Sequence, residues 1–362
     1  MPNNRRFFLK STVAFAGLGA MAPVERIFSQ SQKKDKILPE RILPKYLKKG
    51  DTIGLTAPGG YISKEELDDS VKAVEELGFK AYYTDAVLYR YGYFAGTDEQ
   101  RAKDLMHMFG NKNVDAILCV RGGYGSNRIL DLLDYEVIKN NPKALIGYSD
   151  ITSLINAFYV KLALVGYHGP VAISTFNDFT VKSFKKVLMK PKKKYKYSNK
   201  RQEDTENDTT FDQYTVTPGE AEGILVGGNL VMIASLIGTA YEPDFENKIV
   251  FFEEIKEKPY RIDRLITHLL MSTNLSKAAG IVLGIFRACD IDEDEKDGSF
   301  TLKQVIFDRF ARLNIPCYYG MPFGHVSNKI TLPVGVKAKM DAEKMSLMLT
   351  EPAVLKEKEL AE

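Results

Sequence analysis

Lys143–Phe158 reads KALIGYSDITSLINAF, and the stretch changes character half-way along. Ala144, Leu145 and Ile146 form an apolar run of the length of a short buried strand. Beyond Gly147-Tyr148-Ser149-Asp150, the apolar residues Ile151, Leu154, Ile155 and Phe158 recur at helical spacing. A strand that turns sharply into a helix with a serine at the corner is the geometry of a nucleophile elbow. The turn lifts the hydroxyl out of the sheet, and the helix N-terminus lends it positive partial charge. The G-x-S-x-G pattern is incomplete, since Ile151 stands where the second glycine would be. Ser149 or Asp150 as a plain helix cap is the competing reading, and this stretch alone leaves both open.

The residues before it repeat the same alternation. Thr52–Ala57 reads as a strand ending in Pro58-Gly59-Gly60. Ser63 with Glu66 spells a capping box, as does Thr97 with Gln100, and Gly78 and Gly110 close the two helices they open. Val114–Val120 is the next apolar run, followed by Arg121-Gly122-Gly123-Tyr124-Gly125 and a helical stretch from Ser126 to Leu133. Repeated β-α-β units predict an α/β fold whose N-terminal domain, about residues 45–186, is a doubly wound parallel sheet. Sites on such sheets lie beyond the carboxyl ends of the strands. The RGGYG loop and the Ser149 turn both follow strands and so emerge on one edge. Neither G-x-G-x-x-G nor a P-loop is present, so a phosphate cradle is disfavoured. An oxyanion hole, which needs only one or two aimed N–H donors, fits the loop better.

Residues 187–219 carry a lysine run and then the polar, acidic QEDTENDTT, which reads as an interdomain linker. A smaller, β-rich α/β domain is expected over 220–350. Gly227-Gly228-Asn229-Leu230 opens a helix there, Ile249–Phe252 runs into Glu253-Glu254, and Pro259-Tyr260 opens an amphipathic helix. Asp290, Asp292 and Asp294 alternate as in a calcium loop, but Glu295 and Thr301 occupy the EF-hand positions for glycine and glutamate, so no metal is expected.

A serine nucleophile needs a base and an orienting carboxylate. The chain holds four histidines. His107 and His268 fall within helices, His168 sits at a turn where it could line a site, and His325 lies in a loop just before a strand expected over Lys329–Leu332. Glu253 ends a very apolar strand, where an ionised carboxylate needs a partner.

At the amino terminus, Arg5-Arg6-Phe7-Phe8-Leu9-Lys10 precedes an uncharged stretch from Ser11 to Val24, too short for a comfortable membrane span. The paired arginines resemble a twin-arginine export signal over residues 1–30, which makes a periplasmic or exported protein the expectation. Arg5, Arg6, Lys10 and Arg26 against Glu25 account for the whole formal charge of +3, so nothing in the charge calls for a nucleic-acid partner. The three cysteines are widely spaced and make neither a disulfide framework nor a zinc knuckle.

Six segments in order carry a resemblance: TAPGG; FAGTDEQRAKDL; VRGGYGSNRIL; IGYSDIT with HGP downstream; GGNL with IGT; and VFFEEI leading through PYRIDR to GHVSNKITLPVG. Together they resemble the serine LD-carboxypeptidases, or muramoyltetrapeptide carboxypeptidases, a family that includes microcin-immunity hydrolases. The resemblance implies a triad of Ser149 as nucleophile, Glu253 as carboxylate and His325 as base. Oxyanion donors would be the backbone N–H groups of Asp150 and Gly123, with Arg121, Gly122, His168 and Asn229 as substrate-binding candidates. It implies acyl transfer through an acyl-enzyme that removes the terminal D-amino acid of a peptidoglycan stem peptide or muropeptide. No metal or cofactor is implied, and a homodimer is. Better-known members work in the cytoplasm, so the export signal here is a departure. The alternatives are a microcin-immunity-type hydrolase of another peptide or amide, and a non-catalytic muropeptide binder.

Overall fold

The apolar runs become strands of two sheets in a computed structural model that describes residues 40–200, 208–291 and 298–356. The export segment lies outside the described residues, as do Asp292 and Asp294 of the acidic loop. In chain order the elements are β1 (Thr52–Thr56), α1 (Lys64–Glu76), β2 (Lys80–Tyr82), α2 (Asp98–Gly110), β3 (Ala116–Cys119), α3 (Tyr135–Asn140), β4 (Ala144–Gly147), α4 (Thr152–Leu162), β5 (Gly166–His168) and α5 (Asp178–Leu188). There follow β6 (Tyr195–Lys196), β7 (Tyr214–Thr217), β8 (Glu220–Asn229), α6 (Leu230–Leu236), β9 (Lys248–Ile255), α7 (Pro259–Ser272), β10 (Gly280–Arg287), α8 (Leu302–Phe310), β11 (Cys317–Tyr319), β12 (Leu332–Val334), β13 (Lys337–Asp341) and β14 (Ser346–Leu349).

The first sheet has the order β12-β5-β4-β3-β1-β2. Its five N-terminal strands are parallel, and the strand order reverses at β1 and β3. In such a sheet the crevice outside the carboxyl ends at that reversal is where ligands bind. The TAPGG and RGGYG loops leave β1 and β3 there, and Ser149 leaves β4 beside them. Both expected capping boxes form, Ser63 with Glu66 and Thr97 with Gln100. The stretch after RGGYG, expected as a helix, is a run of 3-10 turns over Ser126–Leu132.

The second sheet has the order β6-β14-β13-β8-β9-β10-β11-β7 and is mixed, with β8, β9, β10 and β11 parallel at its centre. The segment read as a linker supplies β6 and β7, the two edges of this sheet. Strand β12 comes from the C-terminal half yet pairs antiparallel with β5 of the first sheet, Leu332 opposite His168. The loop that carries His325 is thereby tied to the same sheet as Ser149. Tyr167, buried on β5, donates from its hydroxyl to the Ala353 carbonyl and adds a second tie.

Candidate active site

Ser149 adopts a φ of 62°, a left-handed conformation unusual for a residue other than glycine. A turn of 3-10 helix over Ser149–Ile151 leads directly into α4. Strain of this kind at the end of a strand is what a nucleophile elbow requires. The plain-cap reading of Ser149 finds no support, since its side chain caps no helix N–H. Asp150 turns inward, and its carboxylate accepts from the backbone N–H groups of Gly125 (3.3 Å) and Ser126 (2.9 Å). Burial pushes that carboxyl up while those N–H groups oppose the rise. Its structural part is to lock the RGGYG loop against the elbow.

Arg101 of α2 holds the same loop from the other side. Its buried guanidinium donates to the carbonyls of Gly125 (2.9 Å) and Pro58, pairs with Asp98 and lies over the Phe94 ring. One buried cation thus ties the loops after β1 and β3 together. Gly122 sits against the serine: a Cβ placed there would lie 3.2 Å from both Ser149 Oγ and the Asp150 nitrogen. The Gly122 carbonyl accepts from the Gly60 N–H at 2.9 Å. In a planar trans peptide the Gly123 N–H therefore points away from Gly60. Arg121 donates to the Tyr61 carbonyl at 3.1 Å and pairs with Glu66 at 3.4 Å. With Gly60, Tyr61, Tyr93, Gly123 and Tyr124 it lines an open cavity of about 520 Å³.

Glu253 and His325 meet, as the resemblance implies. His325 Nδ1 lies 2.8 Å from Glu253 Oε2, with the carboxylate fully buried and the imidazole largely so. Burial alone would push the Glu253 carboxyl up, but the charge and hydrogen bond of His325 outweigh it and hold the group below the usual carboxylate range. Gly324, at φ 98°, lets the loop close over the acid, since a Cβ there would lie 2.5 Å from Glu253 Oε2. The Tyr148 ring, next in sequence to Ser149, packs edge-on to the His325 ring at 4.8 Å. Among the described residues Ser149 Oγ and His325 are not hydrogen-bonded, a separation common before substrate draws catalytic groups together.

Two of the substrate-binding candidates are placed otherwise than expected. His168 is only 1% exposed, enclosed by the rings of Tyr148, Phe251 and Phe323, so its ring lines no open surface. Asn229 spends its side chain on the fold: Oδ1 accepts from the Met232 N–H to cap α6, and Nδ2 donates to Glu254 Oε1 at 3.0 Å. The other histidines have local roles, His107 bonding Tyr82 and His268 lying near Ser272. Arg101, Gly324 and Tyr148 were missed from the sequence, although all three lie inside segments that carry the resemblance.

Residues 53–169 match the LD-carboxypeptidase N-terminal domain family and residues 222–340 the LD-carboxypeptidase C-terminal domain family. The probable murein peptide carboxypeptidase of Bacillus subtilis is 37% identical over 311 residues, 84% of this chain and 93% of that protein. The chain belongs to the LD-carboxypeptidase family. The murein tetrapeptide carboxypeptidase of Pseudomonas aeruginosa is 28% identical, over 81% of this chain and 94% of its own length. Among solved structures, an MccF-like protein from Bacillus anthracis superposes with a TM-score of 0.76 at 30% identity, covering 86% of this chain and 99% of its own. A muramoyltetrapeptide carboxypeptidase from Oxalobacter formigenes gives 0.72 at 28% identity, covering 84% and 100%. This LD-carboxypeptidase family member is therefore a serine-type hydrolase, with the mixed α/β architecture of those relatives.

Proposed function

We propose that the protein is an exported LD-carboxypeptidase that removes the terminal D-amino acid from peptidoglycan tetrapeptides through Ser149, His325 and Glu253. The observation that carries this reading is the 2.8 Å bond from His325 Nδ1 to a fully buried Glu253, on a loop held beside a strained serine. With Nδ1–H given to the carboxylate, Nε2 is the nitrogen left to take the Ser149 proton. Ser149 Oγ attacks the scissile carbonyl, and the oxyanion is received by the N–H groups of Asp150 and Gly123. His325 then hands its proton to the departing amine, leaving an ester on Ser149. Water activated by the same imidazole cleaves that ester and restores the serine. The substrate class is supported by the relatives named for murein peptides and murein tetrapeptides.

Incubating the purified protein with tetrapeptide and pentapeptide muropeptides, with products read by mass, tests the reading. Release of a single residue from the tetrapeptide is expected, and an untouched tetrapeptide would overturn it. The microcin-immunity alternative rests on the similarity to MccF solved in complex with aspartyl sulfamoyl adenosine (TM-score 0.77, 26% identity). Cleavage of an acyl sulfamoyl nucleoside in preference to the tetrapeptide would favour it. Export rests on Arg5-Arg6 and the apolar stretch behind them, outside the described residues, and no helix among the described residues is long and apolar enough to cross a membrane. Replacing both arginines by lysine should strand the protein in the cytoplasm with its purified activity intact. A wild-type protein recovered at full length from the cytoplasm alone would remove the export claim.

A further inference from the structure

A carboxypeptidase has to recognise a free terminal carboxylate beside the bond it cuts, and Arg121, the cation in the cavity wall, is already engaged by Glu66 and the Tyr61 carbonyl. Four residues beyond His325, Lys329 is only 5% exposed. Its ammonium lies over the Tyr148 ring, 5.2 Å from the centroid, and the same ring packs at 4.8 Å against His325. Lys329 therefore rests on the ring of the residue next to Ser149, and the same ring separates it from His325. Among the described residues its Nζ has no hydrogen-bond partner and no ion-pair partner. The one carboxylate whose charge it feels is Glu253, whose Oε2 is committed to His325.

A buried ammonium without an anion is costly, and here a second cation adds to the cost. Arg287, at the end of β10, donates to the His325 carbonyl at 3.2 Å from the exposed side of the same loop. Burial, with Arg287 opposing the pull of Glu253, pushes the Lys329 ammonium down to about 8. The lysine is nevertheless firmly placed. Its backbone N–H donates to Thr180 Oγ1 at 3.1 Å, the Thr180 hydroxyl donates to the Ser327 carbonyl at 3.1 Å, and Asn177 donates to Asn328 Oδ1 at 2.7 Å. The start of α5 thus pins the whole turn. A largely buried cation with no hydrogen-bonded anion, held on a pinned turn and resting on the ring that also packs against His325, is a receptor for an anionic part of the substrate.

We propose that Lys329 reads the terminal carboxylate of the substrate, its ammonium donating to that carboxylate while the scissile carbonyl lies at Ser149. The assignment rests on the carboxypeptidase reading above and adds the residue that makes the enzyme an exopeptidase. The test compares a tetrapeptide ending in a free carboxylate with the same peptide ending in a carboxamide, for the wild type, Lys329→Met and Lys329→Arg. The wild type is expected to prefer the acid by roughly 30- to 100-fold in kcat/KM, as for a buried charge pair. In Lys329→Met that ratio should collapse towards one, chiefly through KM for the acid, and Lys329→Arg should restore part of it. The carboxamide rate reports whether each variant is folded, and Lys329→Gln carries the same comparison if the Met variant is not. An unchanged ratio in a folded variant overturns the assignment. Equal losses on both peptides also overturn it, because Lys329 would then be supporting Glu253. A wild type that cuts both peptides without preference overturns Lys329 alone, whereas one that cuts neither overturns the carboxypeptidase reading and this inference with it.

Discussion

The φ of 62° at Ser149 turns its hydroxyl out at the end of β4, and the buried Glu253 holds the His325 imidazole by one nitrogen. Groups arranged in this way act as a unit, so their losses should not add. Ser149→Ala and His325→Ala are each expected to lower kcat by roughly 1,000-fold or more, and the double variant by little beyond either alone. Steady-state kinetics on the tetrapeptide decides this; losses that multiply would mean the two residues act independently. His168 makes a different residue-scale prediction. Burial pushes its imidazole down to about 4, whereas an unfolded histidine titrates near 6.5. Between those values the unfolded chain takes up a proton that the folded chain refuses, so stability is full above about 6.5 and falls as the pH drops towards 4. From pH 7 to pH 5 the wild type should therefore lose roughly 2 kcal/mol that His168→Leu does not lose. Urea midpoints at the two pH values measure it, and parallel curves for the two proteins would refute the buried-neutral assignment.

Strand β9 shows how one element divides its work between two adjacent acids. Side chains alternate along a strand, so Glu253 faces His325 while Glu254 turns to the start of α6. There Glu254 accepts from the Asn229 side chain (3.0 Å) and the backbone N–H groups of Val231 (2.9 Å) and Ile255 (2.9 Å). Burial, then the neighbouring Glu253 charge, push its carboxyl up to about 7 against those donors. Glu253→Gln should cut kcat by roughly 100-fold or more with little change in melting temperature, because it misorients the histidine and keeps the carboxylate's shape. Glu254→Gln turns an amide N–H onto a donor and should cost about 1–3 kcal/mol of stability while sparing most of kcat. Calorimetry beside kinetics separates the pair; a Glu254 variant as inactive as the Glu253 one would mean the acids were assigned in the wrong order. Elements of this kind were legible in the sequence because their signals are local. The capping boxes, the strand-turn-helix at Ser149 and the helix after Gly227-Gly228-Asn229 each lie within a few residues. What was not legible is which distant atoms meet. The enclosure of His168 depends on Phe251 and Phe323, and the diversion of Asn229 depends on Glu254, contacts that no periodicity records.

At the scale of the whole molecule, the site exists only where the two sheets touch, because Ser149 comes from the first and Glu253 from the second. Strand β8 of the second sheet is joined to α4 of the first at this seam. The Asn229 backbone N–H donates to Thr152 Oγ1 at 3.1 Å, and Asn156 Nδ2 donates to the Gly227 carbonyl at 3.0 Å. Gly228, between those contacts, has a φ of 143°, and a Cβ on it would stand 2.5 Å from Thr152 Cγ2. No flexible side-chain end is available to yield there, since Thr152 is β-branched and begins the helix that Ser149 leads into. Gly228→Ala should therefore push the sheets apart at the point where the helix that follows Ser149 meets the sheet that carries Glu253. Backbone strain and overpacking together predict a loss of about 1–3 kcal/mol in stability. The catalytic loss should be larger than that figure implies, at least roughly 10-fold in kcat, because a small displacement of Ser149 from His325 spoils the attack geometry. Gly110→Ala is the control: it ends α2 with nothing within 4 Å of its Cβ position, and replacing a helical glycine there should leave activity unchanged and stability equal or slightly higher. Melting temperatures and kcat for the two variants, measured side by side, decide whether the seam governs the chemistry. A Gly228 variant that is destabilised but turns over at the wild-type rate would show that the sheets can shift at this point without moving the serine, and the coupling argued from Thr152 would fail.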